Sequence, residues 1–299
     1  MLKFTWRWRQ NRTDARAAMG LLHYKADRIN VIRALTAPLF FFYPFVLGFP
    51  IHPVLFFLVA FVTIGDMNYI LHLHIHHPFT RSAAVNKVLD IALGLVTGMT
   101  SANWRIQHKY GHHAGHDDPY VKHDAWELRA YSPLGALSFS LRSIWPTYFE
   151  PLKEAFRKGF LGNETRPINY RSAFLEQLAQ IGVVSCLFAR QPLLVAGYVL
   201  PWYVLVYFIS RYVDYLNHYG CSDGAYDFAN NCLSKSFNTL THNFGYHTAH
   251  HLHAAAHWSE LPDLHSRIEA SIPQARKKQF SWAFVLMPYH FWRWRRQEM

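Results

Sequence analysis

Four apolar stretches, arranged in two close pairs, limit the possible folds of this chain more than any other feature. The stretches cover residues 29–49, 53–71, 173–189 and 193–212. A helix needs about 20 apolar residues to cross the roughly 30 Å hydrocarbon core of a bilayer. The first and fourth stretches reach this length, while the second and third are slightly shorter and contain Asp66, Gln177 and Gln180. The sequence therefore predicts an all-α integral membrane protein with about four spans, organised as one domain over residues 1–299.

The links within each pair are so short that each pair must form a transmembrane helical hairpin. Residues 48–52 join the first pair, and residues 190–192 join the second. Nearly all Lys and Arg residues lie in the long segments, namely the N-terminus, residues 72–172 and the chain after residue 213. The positive-inside rule places these segments and both termini in the cytoplasm. The first 28 residues are polar and basic and lack the apolar core of a secretory signal peptide, so we expect none.

The sequence Trp-Arg-Trp-Arg occurs near both ends, at residues 6–9 and 292–295. Tryptophan alternating with arginine could bind single-stranded nucleic acid by stacking and charge. Beside membrane spans, the same pattern is typical of an interfacial anchor, with Trp at the headgroup level and Arg on anionic lipid. We favour the anchor because of the neighbouring spans, and we expect no nucleic-acid partner.

Twenty histidines are present, and they are concentrated in clusters. The first cluster, directly after the second apolar stretch, contains His72, His74, His76 and His77. If the helix continues, His72 and His76 share one face at a spacing of four residues, whereas His74 points to nearly the opposite side. His77 lies between these extremes. His72 and His76 are therefore the better candidates for a shared site, with His77 as the alternative partner.

Two further clusters have a similar spacing. They consist of His108, His112 and His113, and of His247, His250 and His251. In each cluster, histidines one helical turn apart share a face. A lone histidine near an apolar segment is usually a core residue, but three clusters of aligned imidazoles are difficult to explain in that way. Imidazole is the commonest metal ligand in proteins and suits iron, zinc and copper. Without a metal, so many crowded rings would repel one another once protonated.

The predicted topology places all three clusters on one side of the membrane, where two hairpins could bring them together in a helical cytoplasmic cap. His218 follows the fourth stretch at a similar depth. Asp214, one turn earlier, could accept a hydrogen bond from the nitrogen of His218 that does not bind metal, or it could be a carboxylate in water. Asp66, inside the second stretch, is another candidate for a supporting role, because polar groups within spans tend to be functional. We expect a histidine-rich metal site in this cap.

Taken together, the patterns HxxxH, HxxxHH and HxxHH resemble the three histidine boxes of membrane fatty acid desaturases, fatty acid hydroxylases and alkane monooxygenases. Residues 217–220, Asn-His-Tyr-Gly, resemble the additional HYG box of alkane monooxygenases, although this chain has four apparent spans where those enzymes have six. The resemblance covers the arrangement from His72 to His251 and implies that histidines hold two iron ions. These histidines are His72, His76, His108, His112, His113, His218, His247, His250 and His251.

The resemblance implies an O2-dependent, non-haem di-iron oxidoreductase that cleaves an unactivated C–H bond of a lipid or fatty acyl chain. We expect a fatty acid desaturase; a lipid hydroxylase and an alkene-forming fatty acid decarboxylase are the alternatives. Cys186, Cys221 and Cys232 have no CxxC spacing, and no GxGxxG motif or fused haem domain is recognisable. Electrons must then come from a separate carrier of the ferredoxin, rubredoxin or cytochrome type. The expected location is a bacterial inner membrane, with the metal site in the cytoplasm.

A membrane metal transporter is a more distant alternative. It would carry ionisable ligands at mid-depth within its spans, whereas most of the histidines lie outside the apolar stretches. A zinc hydrolase acting on lipids would need about three ligands, an open coordination position and a carboxylate base, and the sequence has no HExxH motif. Both alternatives fit the histidine pattern less well than an oxygen-dependent enzyme does.

Overall fold

Helices form most of the described part of the chain, which in this computed structural model comprises residues 20–113, 135–162, 168–222 and 224–278. Both Trp-Arg-Trp-Arg segments lie outside the described residues. The α-helices are α1 (Arg28–Phe41), α2 (Tyr43–Leu47), α3 (Pro53–Ile64), α4 (Met67–His76), α5 (Ala83–Thr97), α6 (Ser101–Trp104), α7 (Gly135–Phe156), α8 (Tyr170–Arg190), α9 (Pro192–Leu194), α10 (Leu200–His218), α11 (Lys235–Leu240), α12 (His247–Leu252) and α13 (Leu261–Ile268). Segments with π-helical hydrogen bonding are Arg105–His113, Arg157–Leu161 and Val195–Val199. Short 3-10 turns are Lys25–Asp27, Trp258–Glu260, Glu269–Ser271 and Gln274–Arg276. The strands are β1 (Asn231–Cys232) and β2 (Lys277–Lys278), which pair in parallel.

Four helical segments are long and apolar enough to cross a membrane, which confirms the predicted number of spans. Spans one to four are Lys25–Leu47, Pro53–His76, Tyr170–Arg190 and Pro192–His218. Much of their apolar surface faces outward, as lipid contact requires: Val62 is 82% exposed and Leu193 is 87% exposed. Spans two and four end at His76 and His218, where the sequence predicted residues 71 and 212. The hydrogen bonds of a helix join backbone groups and form whether the side chains are polar or apolar. Both helices therefore continue beyond the apolar stretch, through the turns that carry histidines.

A bent pair of helices, which the sequence analysis did not predict, follows span two. It consists of Ala83–Thr97 and Ser101–His113, and the bend between them is 84°. The pair is apolar enough to form a broken span or a re-entrant loop. Gly98 makes the turn with φ +86°, a conformation that glycine adopts without strain. A Cβ at this position would lie 2.7 Å from the ring of Tyr203, so the turn also needs the small residue for space.

Two glutamines of span three support this bend. The Gln177 side-chain oxygen accepts hydrogen bonds from the Thr100 backbone N–H at 3.0 Å and from the Asn103 amide at 3.1 Å. The Gln180 amide donates to the Gly94 carbonyl oxygen at 2.6 Å. Non-helical backbone at membrane depth must find its partners within the protein. Gln177 and Gln180, which make the third stretch less apolar, therefore supply hydrogen-bond partners for backbone groups around the turn.

The largest part of the core packs spans one, two and four against α5. Phe41, Phe56, Leu93 and Trp202 belong to it, and each is at most 3% exposed. The Trp202 indole N–H donates to the Val96 carbonyl oxygen at 2.9 Å. This packing fixes the ends of α4 and α5 relative to span four, and so it positions the first two histidine clusters.

The chain after span four folds back to hold α12 against the bundle. Asn231 in β1 accepts a hydrogen bond from the Thr248 backbone N–H at 3.0 Å and donates to the Thr248 hydroxyl at 2.8 Å. Arg276, just before β2, forms an ion pair of 2.5 Å with Asp227. These contacts close the segment around α12, which carries the third histidine cluster.

Candidate metal centre

Four helical segments deliver histidines to one buried region. His72 and His76 come from α4, and His218 comes from the end of α10. The π-helical extension of α6 and the short helix α12 carry the other two clusters. All nine side chains are between 1% and 7% exposed. The structure therefore brings together all nine histidines that the family resemblance singled out.

The nine histidines form two groups. Within each group, the nitrogen atoms available for a metal all lie within 4.8 Å of one another. Group one consists of His72, His76, His108, His113 and His250. Group two consists of His112, His218, His247 and His251. The neighbours His112 and His113 lie in different groups, as do His250 and His251, so two stretches of backbone connect the groups directly.

The distances between ring nitrogens fit a shared cation in each group. In group one, His108 Nε2 lies 2.8 Å from His72 Nε2 and 3.1 Å from His113 Nε2. In group two, His218 Nε2 lies 3.1 Å from His112 Nε2 and 3.0 Å from His247 Nε2. Two imidazole nitrogens bound to one ion at about 2.1 Å and at right angles are about 3 Å apart. Facing nitrogen atoms at this spacing are therefore arranged as ligands of a common metal ion.

The π-helical segment changes how the second cluster divides. In an α-helix, His108 and His112 would share a face, as the sequence analysis expected. Between Arg105 and His113, however, the hydrogen bonds join residues five apart. His108 therefore aligns with His113 in group one, and His112 turns toward group two. Because each π-helical hydrogen bond spans one more residue than an α-helical one, this short segment can direct His108 and His113 to group one and His112 to group two.

Burial keeps the third cluster in the form that binds metal. Desolvation, with the neighbouring imidazoles as a second cause, holds the pKa of His247 and His251 well below the ordinary value of 6.5. Desolvation likewise lowers the pKa of His250 to about 3. These rings are therefore neutral near pH 7, and a neutral imidazole is the species that donates its lone pair to a metal.

A backbone carbonyl orients His218. The Phe228 carbonyl oxygen lies 3.0 Å from His218 Nδ1 and can only accept, so Nδ1 carries the proton and Nε2 carries the lone pair that faces group two. Asp214, the predicted candidate for this supporting contact, lies 3.2 Å from Arg211 and 4.0 Å from His112 Nε2. One helical turn separates Asp214 from His218, but the Asp214 carboxylate points toward the second cluster instead.

Three other residues singled out from the sequence lie apart from both groups. Both carboxylate oxygens of Asp66 accept from Arg33 at 2.5 Å, which joins spans one and two. His74 faces away from the groups, as expected, with its Nε2 atom 3.4 Å from Asp90. His77 lies outside both groups, and its ring contacts Tyr24.

Two aromatic side chains that the sequence analysis did not identify also touch the groups. The Trp104 indole is parallel to the His108 ring at 5.8 Å between centroids. Phe244 packs edge-on against both His72 and His247, at 5.0 Å from each. Both aromatics precede a cluster histidine by three or four residues, a spacing that could have revealed them. No sequence pattern could have identified the Phe228 carbonyl as the partner of His218, because every residue has a backbone carbonyl group.

A largely apolar cavity lies beside group one. It lies between α4, α6 and α10 and is lined by the apolar side chains of Val206, Ile209 and Val213. His72 and His108 of group one also line the cavity, as do the charged side chains of Arg211 and Asp214. The apolar part of the cavity wall lies next to two histidines of group one, so an apolar group placed there would be close to the candidate metal centre.

The fold and the site define a membrane protein with a buried, histidine-rich centre for metal ions. The family model "Fatty acid desaturase" matches residues 47–283, a region that includes all nine histidines and spans two to four. The chain thus belongs to the fatty acid desaturase family and is a desaturase-type oxidoreductase. Membership implies a lipid substrate and association with the membrane. No curated protein matches the chain.

Proposed function

We propose that the protein is an O2-dependent di-iron fatty acid desaturase that removes hydrogen from an unactivated C–H bond of an acyl chain. The observation that carries this proposal is the pair of adjacent, buried imidazole groups, with five and four histidines. Histidine nitrogen suits iron, and groups one and two would each hold one ion. Iron bound there supplies the O2-dependent oxidising chemistry, which side chains alone lack.

The protein's own residues bind and orient the substrate. The apolar cavity lined by Val206, Ile209 and Val213 would hold the acyl chain and exclude water from the reacting carbon atoms. Phe244 packs against one histidine of each group and limits their movement. The Phe228 carbonyl keeps the proton of His218 on Nδ1 and away from the metal side. Positioning of this kind decides which C–H bond lies closest to the centre.

We also propose that the histidine-bearing ends of the spans face the cytoplasm of a bacterial inner membrane. The support is the concentration of Lys and Arg in the long segments on that side. The chain's three cysteines are too far apart in sequence to form an iron–sulfur motif. A separate electron carrier of the ferredoxin, rubredoxin or cytochrome type would then supply the electrons.

Product analysis tests the reaction. The protein is expressed in a host with a suitable electron donor, and the host lipids are analysed by mass spectrometry. Desaturation removes two hydrogen atoms from an acyl chain, hydroxylation adds one oxygen atom, and decarboxylation removes the carboxyl group. We expect the first result with the wild type and no new product with His112→Ala. A new product that persists in His112→Ala, or none from an iron-loaded wild type, would contradict the proposal.

A further inference from the structure

A second cluster of rings lies beside group one. We call it the outer ring cluster; it consists of His23, Tyr24, His77, His257 and Trp258. The Tyr24 ring stacks on His257 at 3.7 Å, and His77 packs edge-on against both, at 5.2 and 5.7 Å. His23 lies 5.3 Å from His77. None of these residues belongs to either metal-binding group.

A buried carboxylate holds this cluster in place. Asp27 is fully buried, and its Oδ2 atom accepts from His257 Nε2 at 3.0 Å. The Trp258 indole N–H donates to Oδ1 of the same carboxylate at 2.9 Å. The Ser259 backbone N–H donates to His257 Nδ1, which leaves the ring's proton on the nitrogen that faces Asp27. A buried charge is tolerated only with such partners, so Asp27 fixes the orientation of both rings.

The outer ring cluster reaches the candidate metal centre. One cavity is lined by His257 and Trp258 and also by His72, His76 and His250 of group one. His77 lines the same cavity and is bonded through the backbone to His76. The rings of the outer ring cluster thus line the same cavity as three histidines of group one, and the His76–His77 peptide bond joins the two sets of rings.

Three exposed basic residues lie in or beside the segment that carries Tyr24, together with one acidic side chain, Glu260, which accepts from the Tyr24 hydroxyl at 2.9 Å. Lys25 and Arg28 are exposed and flank Tyr24 and Asp27 in the chain. Arg81 is also exposed, and its backbone N–H bonds to the Leu21 carbonyl oxygen at 2.9 Å, which places it beside the same segment. The formal net charge of the whole chain is +11. A basic surface of this kind attracts an acidic partner and speeds its association.

We propose that the face formed by Lys25, Arg28 and Arg81 is the docking site of an acidic one-electron carrier protein, and that the outer ring cluster conducts the electron to group one. This inference rests on the proposed function. The reduced carrier loses one electron and the metal centre gains it; the rings return to their starting state, and no bond forms or breaks. Anionic lipid would also meet the basic residues, but it would not need rings that lead to the metal-binding histidines.

Charge reversal tests the docking site. The probe is an acidic [2Fe–2S] ferredoxin, added in its oxidised form to the metal-free protein in nanodiscs of zwitterionic lipid. We expect the variant Lys25→Glu/Arg28→Glu to bind ferredoxin about tenfold or more weakly, and we expect wild-type binding to weaken as salt is added. The control Arg190→Glu reverses an exposed charge at the end of span three and should bind as the wild type does.

Removing a ring tests the path. In iron-loaded protein, Trp258→Phe should leave ferredoxin binding unchanged but slow reduction by ferredoxin about tenfold, while reduction by dithionite stays the same. Trp145→Phe, at a tryptophan that is 71% exposed, is the matched control. Because Trp258 also binds the buried Asp27, Tyr24→Leu provides a second variant that leaves this carboxylate's two partners intact.

The docking site, the electron path and the proposed di-iron function can each fail separately in these experiments. Unchanged ferredoxin binding after charge reversal would overturn the docking site, and unchanged reduction rates in both ring variants would overturn the path. If charge reversal alters only the retention of phosphatidylglycerol by the protein, the basic face is a lipid contact and the docking proposal is wrong. A wild type that binds ferredoxin but holds no iron would instead refute the proposed function.

Discussion

Replacing Gly98 with alanine tests whether the bend after α5 controls the metal centre. The new methyl group destabilises the fold in two ways. The backbone at φ +86° costs about 1–2 kcal/mol for a residue with a side chain. The Cβ atom would also lie 2.7 Å from the Tyr203 ring, and overpacking of this kind costs about 1–3 kcal/mol. Tyr203 cannot simply turn away, because its hydroxyl donates to the Leu95 carbonyl oxygen at 2.7 Å.

We therefore expect Gly98→Ala to lower the free energy of unfolding by about 2–5 kcal/mol. The bend also carries α6 and its π-helical extension, so a shift there displaces His108 and His113 of group one and His112 of group two. The variant should hold less than the full amount of iron. Denaturant unfolding in detergent measures the first effect, and elemental analysis of the purified protein measures the second.

Gly182→Ala is the matched control. Gly182 lies in span three, and a Cβ there would have no neighbour within 4 Å. Because alanine favours a helix over glycine, the change should raise the free energy of unfolding by about 0.5–1 kcal/mol and leave the iron content unchanged. If Gly98→Ala is as stable as Gly182→Ala and holds as much iron, the bend does not position the second histidine cluster.

Three further predictions follow from the same geometry. His72→Ala should lose iron from group one, whereas His74→Ala should destabilise the fold but keep the iron, as elemental analysis would show. Gln177→Leu leaves the Thr100 N–H without its partner and should cost about 1–3 kcal/mol in denaturant unfolding. His250 has a pKa of about 3 when folded and an ordinary value of 6.5; below pH 6.5 only the unfolded chain takes up this proton. From His250 alone, the metal-free protein should therefore lose about 2 kcal/mol of stability between pH 7 and pH 5, and constant stability would contradict this.

The spans and the histidine clusters could be predicted because their signals are local. Apolar stretches of sufficient length predict spans directly, and four were found where four were expected. The ends of the spans were predicted less well. Hydropathy falls at His72 and after Tyr212, yet the helices continue to His76 and His218. Those extra turns carry histidines of the two groups, so the end of each apolar stretch marks the candidate site and not the end of the helix.

The division of histidines between two groups could not be predicted. The α-helical spacing paired His108 with His112, but the π-helical hydrogen bonds pair His108 with His113. Nothing in the sequence of residues 105–113 distinguishes these two kinds of helix, because the choice depends on how the segment packs. His250 and His251 likewise separate because one turn of α12 faces both groups.

Contacts between distant segments were also beyond the reach of sequence patterns. Gln177 and Gln180 seemed to weaken span three, but they bind Thr100 and Gly94 near the bend, 77 and 86 positions earlier in the chain. Asp214 was a reasonable partner for His218 by spacing, yet the Phe228 carbonyl occupies that position. In both cases the partner was fixed by tertiary packing, which periodicity does not encode.

Counting the metal ions tests the central claim most directly. Elemental analysis of wild-type protein purified from iron-supplemented cells should give two irons per chain. His76→Ala in group one and His218→Ala in group two should each reduce that number, while His77→Ala, outside both groups, should retain both ions. Zinc in place of iron in the wild type, or full iron in both group variants, would contradict the account.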